Sequence, residues 1–197
     1  MRKLRHEEIP RPDPAAAALL PKHPISVVVD NVRSIHNVGS IFRSSDAAFI
    51  EHLYLTGISG TPENPAIHKT ALGAQDTVGW TYACDPAGVV ARLKSEGYTV
   101  GVLEITNRPT FADDVRAAHF PLCLIVGNEV HGVSDALIEA ADLAIEIPQF
   151  GAKQSLNVSV AYGIAIFDLV RRYRKLEGFG QLRKRAVYVD EGNHHDE

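Results

Sequence analysis

The sequence predicts an α/β fold, a mostly parallel sheet with helices on both faces. Three observations carry this. Short apolar, β-branched runs such as Ile25–Val29 and Leu122–Val126 read as strands buried on both faces. Between them lie stretches whose apolar residues recur at helical spacing. Strand and helix alternate along the chain, the pattern of a parallel sheet.

In order, Ile25–Val29 is the first strand and ends at Asp30. Val38–Phe49 reads as a helix, with Val38, Ile41, Phe42, Ser45 and Phe49 on one face and Asn37 placed to cap it. His52–Thr56 is a short strand, followed by the Gly/Pro-rich loop Gly57–Pro65. Pro86–Glu96 reads as a helix with proline in its first turn and Gly97 beyond its end. Tyr98–Leu103, Leu122–Val126 and Leu143–Ile147 read as strands, and Ser134–Ala141 as a helix capped by Ser134. Asn157–Lys175 is a long final helix. This assigns 25–175 to one domain, 1–24 to a proline-rich extension with a helical turn around Ala15–Leu20, and 176–197 to a basic, then acidic, tail.

Composition excludes several classes. With 45% hydrophobic and 22% charged residues the 197-residue chain is an ordinary globular sequence, not a disordered or fibrous one. No apolar run approaches the roughly 18 residues of a membrane span, and the charged start lacks a signal-peptide core. Cys84 and Cys123 are the only cysteines, so neither a disulfide framework nor a CxxC metal site is expected. The expectation is a cytoplasmic protein without a metal. Charge is unevenly spread. Residues 25–170 hold 16 acids against 8 Lys and Arg, whereas 171–185 hold seven bases against Glu177 alone. That basic segment reads either as a phosphate contact or as a solvated helix end.

In parallel α/β folds ligands sit beyond the carboxyl ends of the strands, so the loops there carry weight. No GxGxxG and no GxxxxGK[ST] occurs; Gly127–Gly132 is followed by Val133-Ser134 and has no phosphate-binding lysine. Three other segments stand out. One runs Asn37-Val-Gly-Ser-Ile-Phe-Arg43. The second is Gly127-Asn-Glu-Val-His-Gly132. The third is Ile147-Pro148 followed by Ser155-Leu156-Asn157.

In these three segments, in this order, the chain resembles the SpoU-type (TrmH-like) RNA ribose methyltransferases of the SPOUT superfamily. The shared patterns are N-x-G-x-x-x-R, G-x-E-x-x-G, and I-P followed by S-L-N, and the resemblance spans roughly residues 25–172. It implies a C-terminal deep trefoil knot, the SPOUT fold. It implies a homodimer whose site is completed across the interface, with the last helix as contact surface. The implied reaction moves a methyl group from S-adenosylmethionine to a ribose 2′-hydroxyl of structured tRNA or rRNA. Two alternatives remain: a SPOUT base methyltransferase, and a noncatalytic RNA-binding dimer of the same fold.

The resemblance also implies roles. Leu103, Glu104, Val126, Gly127, Ile147 and Leu156 are cofactor-binding candidates, with Gly127 allowing close approach of backbone to adenosine. Arg43, Asn37, Glu129, Ser155 and Asn157 are catalytic candidates. Arg43 is expected to clamp a phosphate and stabilise the developing alkoxide, since guanidinium is a poor proton acceptor. Its plain alternative is a surface pair with Asp46 at i+3. Asn37 caps a helix, positions Arg43 or the ribose, or does both; Glu129 orders Asn37 or Arg43. Ser155 and Asn157 cap the last helix or border the transfer site. RNA contacts are expected from Arg33, Arg43, Lys69, Lys153, Arg183, Lys184 and Arg185. His36 and His131 carry imidazoles, a side chain that can serve as a general base, but they read as ordinary loop histidines.

Overall fold

The strands are β1 (His23–Asp30), β2 (Ile50–Thr56), β3 (Trp80–Ala83), β4 (Thr99–Leu103), β5 (Pro109–Thr110), β6 (Leu122–Val126) and β7 (Leu143–Ile145). They form one sheet in the order β3-β2-β1-β6-β4-β7-β5, with every pair parallel. The computed structural model describes residues 1–9, 17, 19–153 and 155–178. Arg183, Lys184 and Arg185, and half of the turn expected around Ala15–Leu20, lie outside the described residues.

Five α-helices among the described residues cover the sheet: α1 (Ile35–Ala48), α2 (Pro65–Ala71), α3 (Pro86–Ser95), α4 (Asp135–Ala140) and α5 (Val158–Leu176). Strand periodicity divides the core in two. Val27, Val29, Leu53, Leu124 and Val126 pack under α1, α2 and α5, and Val28, Val100, Cys123 and Ile125 under α3 and α4. This explains why β6 reads as an unbroken apolar run and β1 as one interrupted only by the buried Ser26 between Ile25 and Val29: both faces are buried. Burial pushes the Cys123 thiol up to about 12, leaving it inert at neutral pH.

Two joints fix α1. Ser45 Oγ donates to Ile41 O at 2.7 Å and meets the Tyr162 hydroxyl of α5 at 2.7 Å. A side chain on Gly39 would collide with Thr70 Oγ1 and the Ile67 carbonyl, so glycine lets α1 lie directly on α2. The helix starts earlier than expected. Ser34, in extended conformation, accepts from the Asn37 amide at 3.3 Å and is the cap. Asn37 lies one turn inside, its side chain free to point elsewhere. The final helix keeps its expected cap, with Asn157 Oδ1 accepting from the Ser159 and Val160 amides. Ser134 precedes α4 without a side-chain cap bond; its amide donates instead to Asp30.

The strand order places the site. From β1 the chain builds outward through β2 to β3, then returns to the far side of β1 for β4, β6 and β7. The direction of growth reverses beside β1, and the crevice at such a reversal is the usual ligand site of an open α/β sheet. Among the described residues no helix is long and apolar enough to cross a membrane, and no group of His, Cys, Asp and Glu is placed to hold a metal.

Candidate active site

Beyond the carboxyl ends of β4, β6 and β7 lies a pocket of about 760 Å³, within the usual range for a small-molecule site. All six cofactor candidates, Leu103, Glu104, Val126, Gly127, Ile147 and Leu156, line it, as do Glu129, Ser155 and Asn157. Strand ends, the loop after β6 and the irregular segment before α5 converge there.

The loop after β6 is closed on itself. Asn128 and Gly132 exchange two backbone hydrogen bonds of 2.9 Å, and Asn128 Oδ1 accepts from the Val130 and His131 amides. A side chain on Gly127 would run into the Gly132–Val133 backbone. The glycine expected to admit adenosine is therefore required first by the loop's own closure. Gly132 has a φ of +70° and abuts the Glu104 carboxylate, which accepts from the Val133 amide at 3.1 Å and the Ile105 amide at 3.0 Å. The Glu104 side chain thus pins the pocket's loops.

Glu129 projects from the same loop and gathers the turn before α1. Its carboxylate accepts from the amides of Arg33 at 3.0 Å and Ser34 at 2.9 Å, and from Asn37 Nδ2 at 2.9 Å. Burial alone would raise this carboxyl. Hydrogen bonds from the Asn37 side chain and the Ser34, Glu129 and Arg33 amides outweigh it and hold the group below its ordinary value. Asn37 Oδ1 in turn accepts from Asn157 Nδ2 at 3.1 Å, and Asn157 also receives the Ser159 hydroxyl at 2.7 Å. A single polar chain, Glu129–Asn37–Asn157–Ser159, therefore joins the three motif segments at the edge of the pocket.

Arg43 is not part of it. It is exposed, on another face of α1, in a shallow depression of about 440 Å³ with Ser40, Ser44, Lys69, Thr70 and Phe167. The pair with Asp46 does not form; Asp46 accepts from Thr77 at 2.5 Å, and Arg43 has no partner among the described residues. Glu129 orders Asn37 and leaves Arg43 alone. Arg33, Lys69 and Lys153 are exposed, and Ser155 is exposed at the pocket wall. His36 lies on the first turn of α1, and His131 at the exposed tip of the loop after β6.

Sequence reasoning missed the residues that hold these segments together. Asp30, 1% exposed, accepts from Asn31 Nδ2 at 2.7 Å and the Ser134 amide at 3.2 Å. Asn128 Nδ2 donates to Asn31 O at 2.7 Å, tying the loops after β1 and β6. An acid ending a mostly apolar strand, and an asparagine inside a Gly-Asn-Glu turn, were the available signals.

The family model for the SpoU rRNA Methylase family matches residues 24–167. The chain belongs to this family. Among its SpoU relatives is the 23S rRNA (guanosine-2′-O-)-methyltransferase RlmB of Nitrosomonas europaea, 32% identical over 154 residues. That match covers 78% of this chain and 58% of RlmB, so the chain spans little more than half of that protein. The A. aeolicus TrmH/SpoU tRNA modifying enzyme shares 29% identity at a TM-score of 0.72, covering 82% of this chain and 81% of that one. An AdoMet-bound rRNA methyltransferase from Sinorhizobium meliloti shares 25% identity at a TM-score of 0.71, covering 78% and 57% of the two chains.

Proposed function

We propose that this chain transfers a methyl group from S-adenosylmethionine to a ribose 2′-hydroxyl of structured tRNA or rRNA. The observation that carries the reading is the hydrogen-bonded chain Glu129–Asn37–Asn157, which links three motif segments at the edge of the pocket beyond β4, β6 and β7. The name of the N. europaea relative, a guanosine-2′-O-methyltransferase of 23S rRNA, supports ribose over base as acceptor and favours rRNA.

The residues present fit the cofactor. The pocket has the volume an adenosine needs and is lined by the strand ends Leu103, Val126 and Ile145. Its wall carries Glu104, Glu129, Asp135 and Glu146 with no Lys or Arg, a setting that favours a cationic ligand. When bound, S-adenosylmethionine supplies an electrophilic methyl on its sulfonium. The chain's own task is orientation. Glu129 locks Asn37 through an ionised carboxylate, and Asn37 with Asn157 holds the rim near which the ribose is to lie. Ser155 is placed to meet the acceptor. Arg43 and Lys69, solvated and adjacent, suit an RNA phosphate, and Arg43 suits a developing alkoxide. Arg33 and Lys153 extend the cationic surface, with Arg183, Lys184 and Arg185 as its sequence-level continuation.

Because Arg43 stands apart from the pocket of its own chain, a homodimer that brings it to the partner's pocket completes the site. The exposed apolar stripe Val160, Ile164 and Phe167 on α5, beside Arg43, supports that interface. We also propose the trefoil knot. The path from β4 to β6 runs out over β7 to β5 before it returns, so β7 lies inside that arc; α5 then ties back to it through Arg172 Nε donating to Val115 O at 2.6 Å. The domain is assigned to 25–175, flanked by an extension (1–24) and a tail (176–197), and an RNA substrate of this kind places the protein in the cytoplasm.

Nucleoside mass spectrometry tests the reading. Purified protein, S-adenosylmethionine and unmodified tRNA and rRNA pools should yield a new 2′-O-methylnucleoside. A base-methylated product would transfer the reading to the base-modifying branch. Absence of both product and cofactor binding would leave the noncatalytic RNA-binding dimer.

A further inference from the structure

We infer that Phe150 is the stacking platform for the nucleobase of the nucleotide being methylated, an inference that rests on the RNA-methyltransferase reading above. Phe150 is 98% exposed, so it belongs to neither core. It lies in the irregular segment between β7 and α5, the segment whose Gln149, Ser155 and Leu156 line the cofactor pocket. Gly151 follows it, and a side chain built there would meet nothing within 4 Å among the described residues.

Chemistry limits what Phe150 can meet. A ribose presented to the pocket brings its base attached, and a base drawn out of an RNA stack needs an apolar surface on its face. The pocket wall holds no Phe, Tyr or Trp. Phe150, in a segment that borders it, is the most exposed such ring among the described residues, and Val130 (73% exposed) and Leu156 (42% exposed) add aliphatic surface at the same wall. The exposed Lys153, three residues on, suits the phosphate that accompanies the base. An aromatic face beside a cation is the usual pairing where proteins bind unstacked nucleotides, and stacking of this kind tolerates any base. Phe150 is thus a positioning residue: it sets where the ribose sits and leaves the bonds made and broken to other groups.

The test uses the full chain with Phe150→Ala, Phe150→Leu and Phe150→Trp. KM for an RNA methylated by the wild type is read beside S-adenosylmethionine affinity by calorimetry and mass by light scattering. The alanine and leucine variants should both raise the RNA KM about tenfold, equivalent to ~1.4 kcal/mol. The tryptophan variant should keep the wild-type KM and lose indole fluorescence when RNA binds. Cofactor affinity and mass should not change in any of them. Four outcomes overturn the inference while wild-type methylation stands: an unchanged RNA KM in the alanine variant, a leucine variant as good as wild type, weakened cofactor binding, or a shift in oligomeric state. A wild type that methylates no RNA removes the parent reading itself, whatever the variants do.

Discussion

Asn37 and Arg43 stand on the same helix, less than two turns apart, in opposite circumstances. Asn37 is bonded on both sides, to Glu129 at 2.9 Å and to Asn157 at 3.1 Å. Arg43 faces solvent beside Lys69 with no partner among the described residues. A side chain already held can position something else without reorganising. A solvated guanidinium next to a second cation is stabilised only when an anion arrives. The helix therefore carries a preorganised group at its start and an open one further along, and the proposed activity calls on both.

The largest expected effect comes from the open half. Arg43→Ala should lower the rate of methyl transfer by about 10²–10³, as loss of a group stabilising developing charge does. Because Arg43 makes no contact that holds the fold, cofactor affinity and melting temperature should stay at wild-type values. Calorimetry and thermal unfolding check this, and near-normal turnover would remove Arg43 from the mechanism. On the proposed reading, the same half-site is completed by a second copy of the chain. Ile164→Asp, in the exposed stripe of α5, should convert a dimer to monomer by light scattering and lose activity with it. A monomer that remains active would mean that Arg43 reaches its substrate without a partner.

In the preorganised half, substitutions should act through structure. Gly127→Ala puts a methyl group into the Gly132–Val133 backbone and should destabilise the protein by about 1–3 kcal/mol, with cofactor affinity falling at least in step. Glu129→Gln should cost less, about 1 kcal/mol at pH 7, since the group is partly solvated. Its pH dependence is diagnostic. Glu129 is held below its ordinary value, so its contribution is present above the unfolded-state value near 4.3 and is lost as pH falls through the folded one. In urea unfolding, wild type and Glu129→Gln should differ at pH 7 and converge below about pH 4.

Sequence reasoning saw the two halves unequally. Buried strands were legible because burial on both faces leaves an apolar run, and β6 begins and ends where expected. β3 and β5 were not. Trp80–Ala83 is a half-exposed strand at the sheet's edge, and Pro109–Thr110 is a two-residue pairing with a proline, so neither leaves a run to read. The helix start was misplaced because Ser34 and Asn37 are both good caps, and only the Glu129 carboxylate, far off in sequence, shows which is otherwise engaged. The motif glycines were visible but their reasons were not. Gly39 makes room for α2, and Gly127 for a loop closing on itself. A motif records that a residue is needed; the neighbour that makes it necessary appears only in three dimensions.

The smallest effect should come from the other end of β1, where polar groups serve stability alone. His23, 8% exposed, holds Ala48 O through Nδ1 at 2.8 Å, while its Nε2 lies 3.4 Å from the Arg174 guanidinium and its ring meets Phe49 and Tyr173 edge-on. Burial lowers its affinity for a proton, and the charge on Arg174 adds to the effect. The unfolded chain then binds that proton more readily than the folded one, so stability should fall as pH drops from about 7 through the unfolded-state value near 6.5. His23→Gln can keep the bond to Ala48 without titrating, and should flatten this slope by at most about 1 kcal/mol between pH 7.5 and 5.5 in urea unfolding. At pH 7.5 its methyl transfer should match wild type. A variant that lost activity while keeping its stability would show that this end of the sheet is coupled to the site, and the division between a pole that works and a pole that only holds would fail.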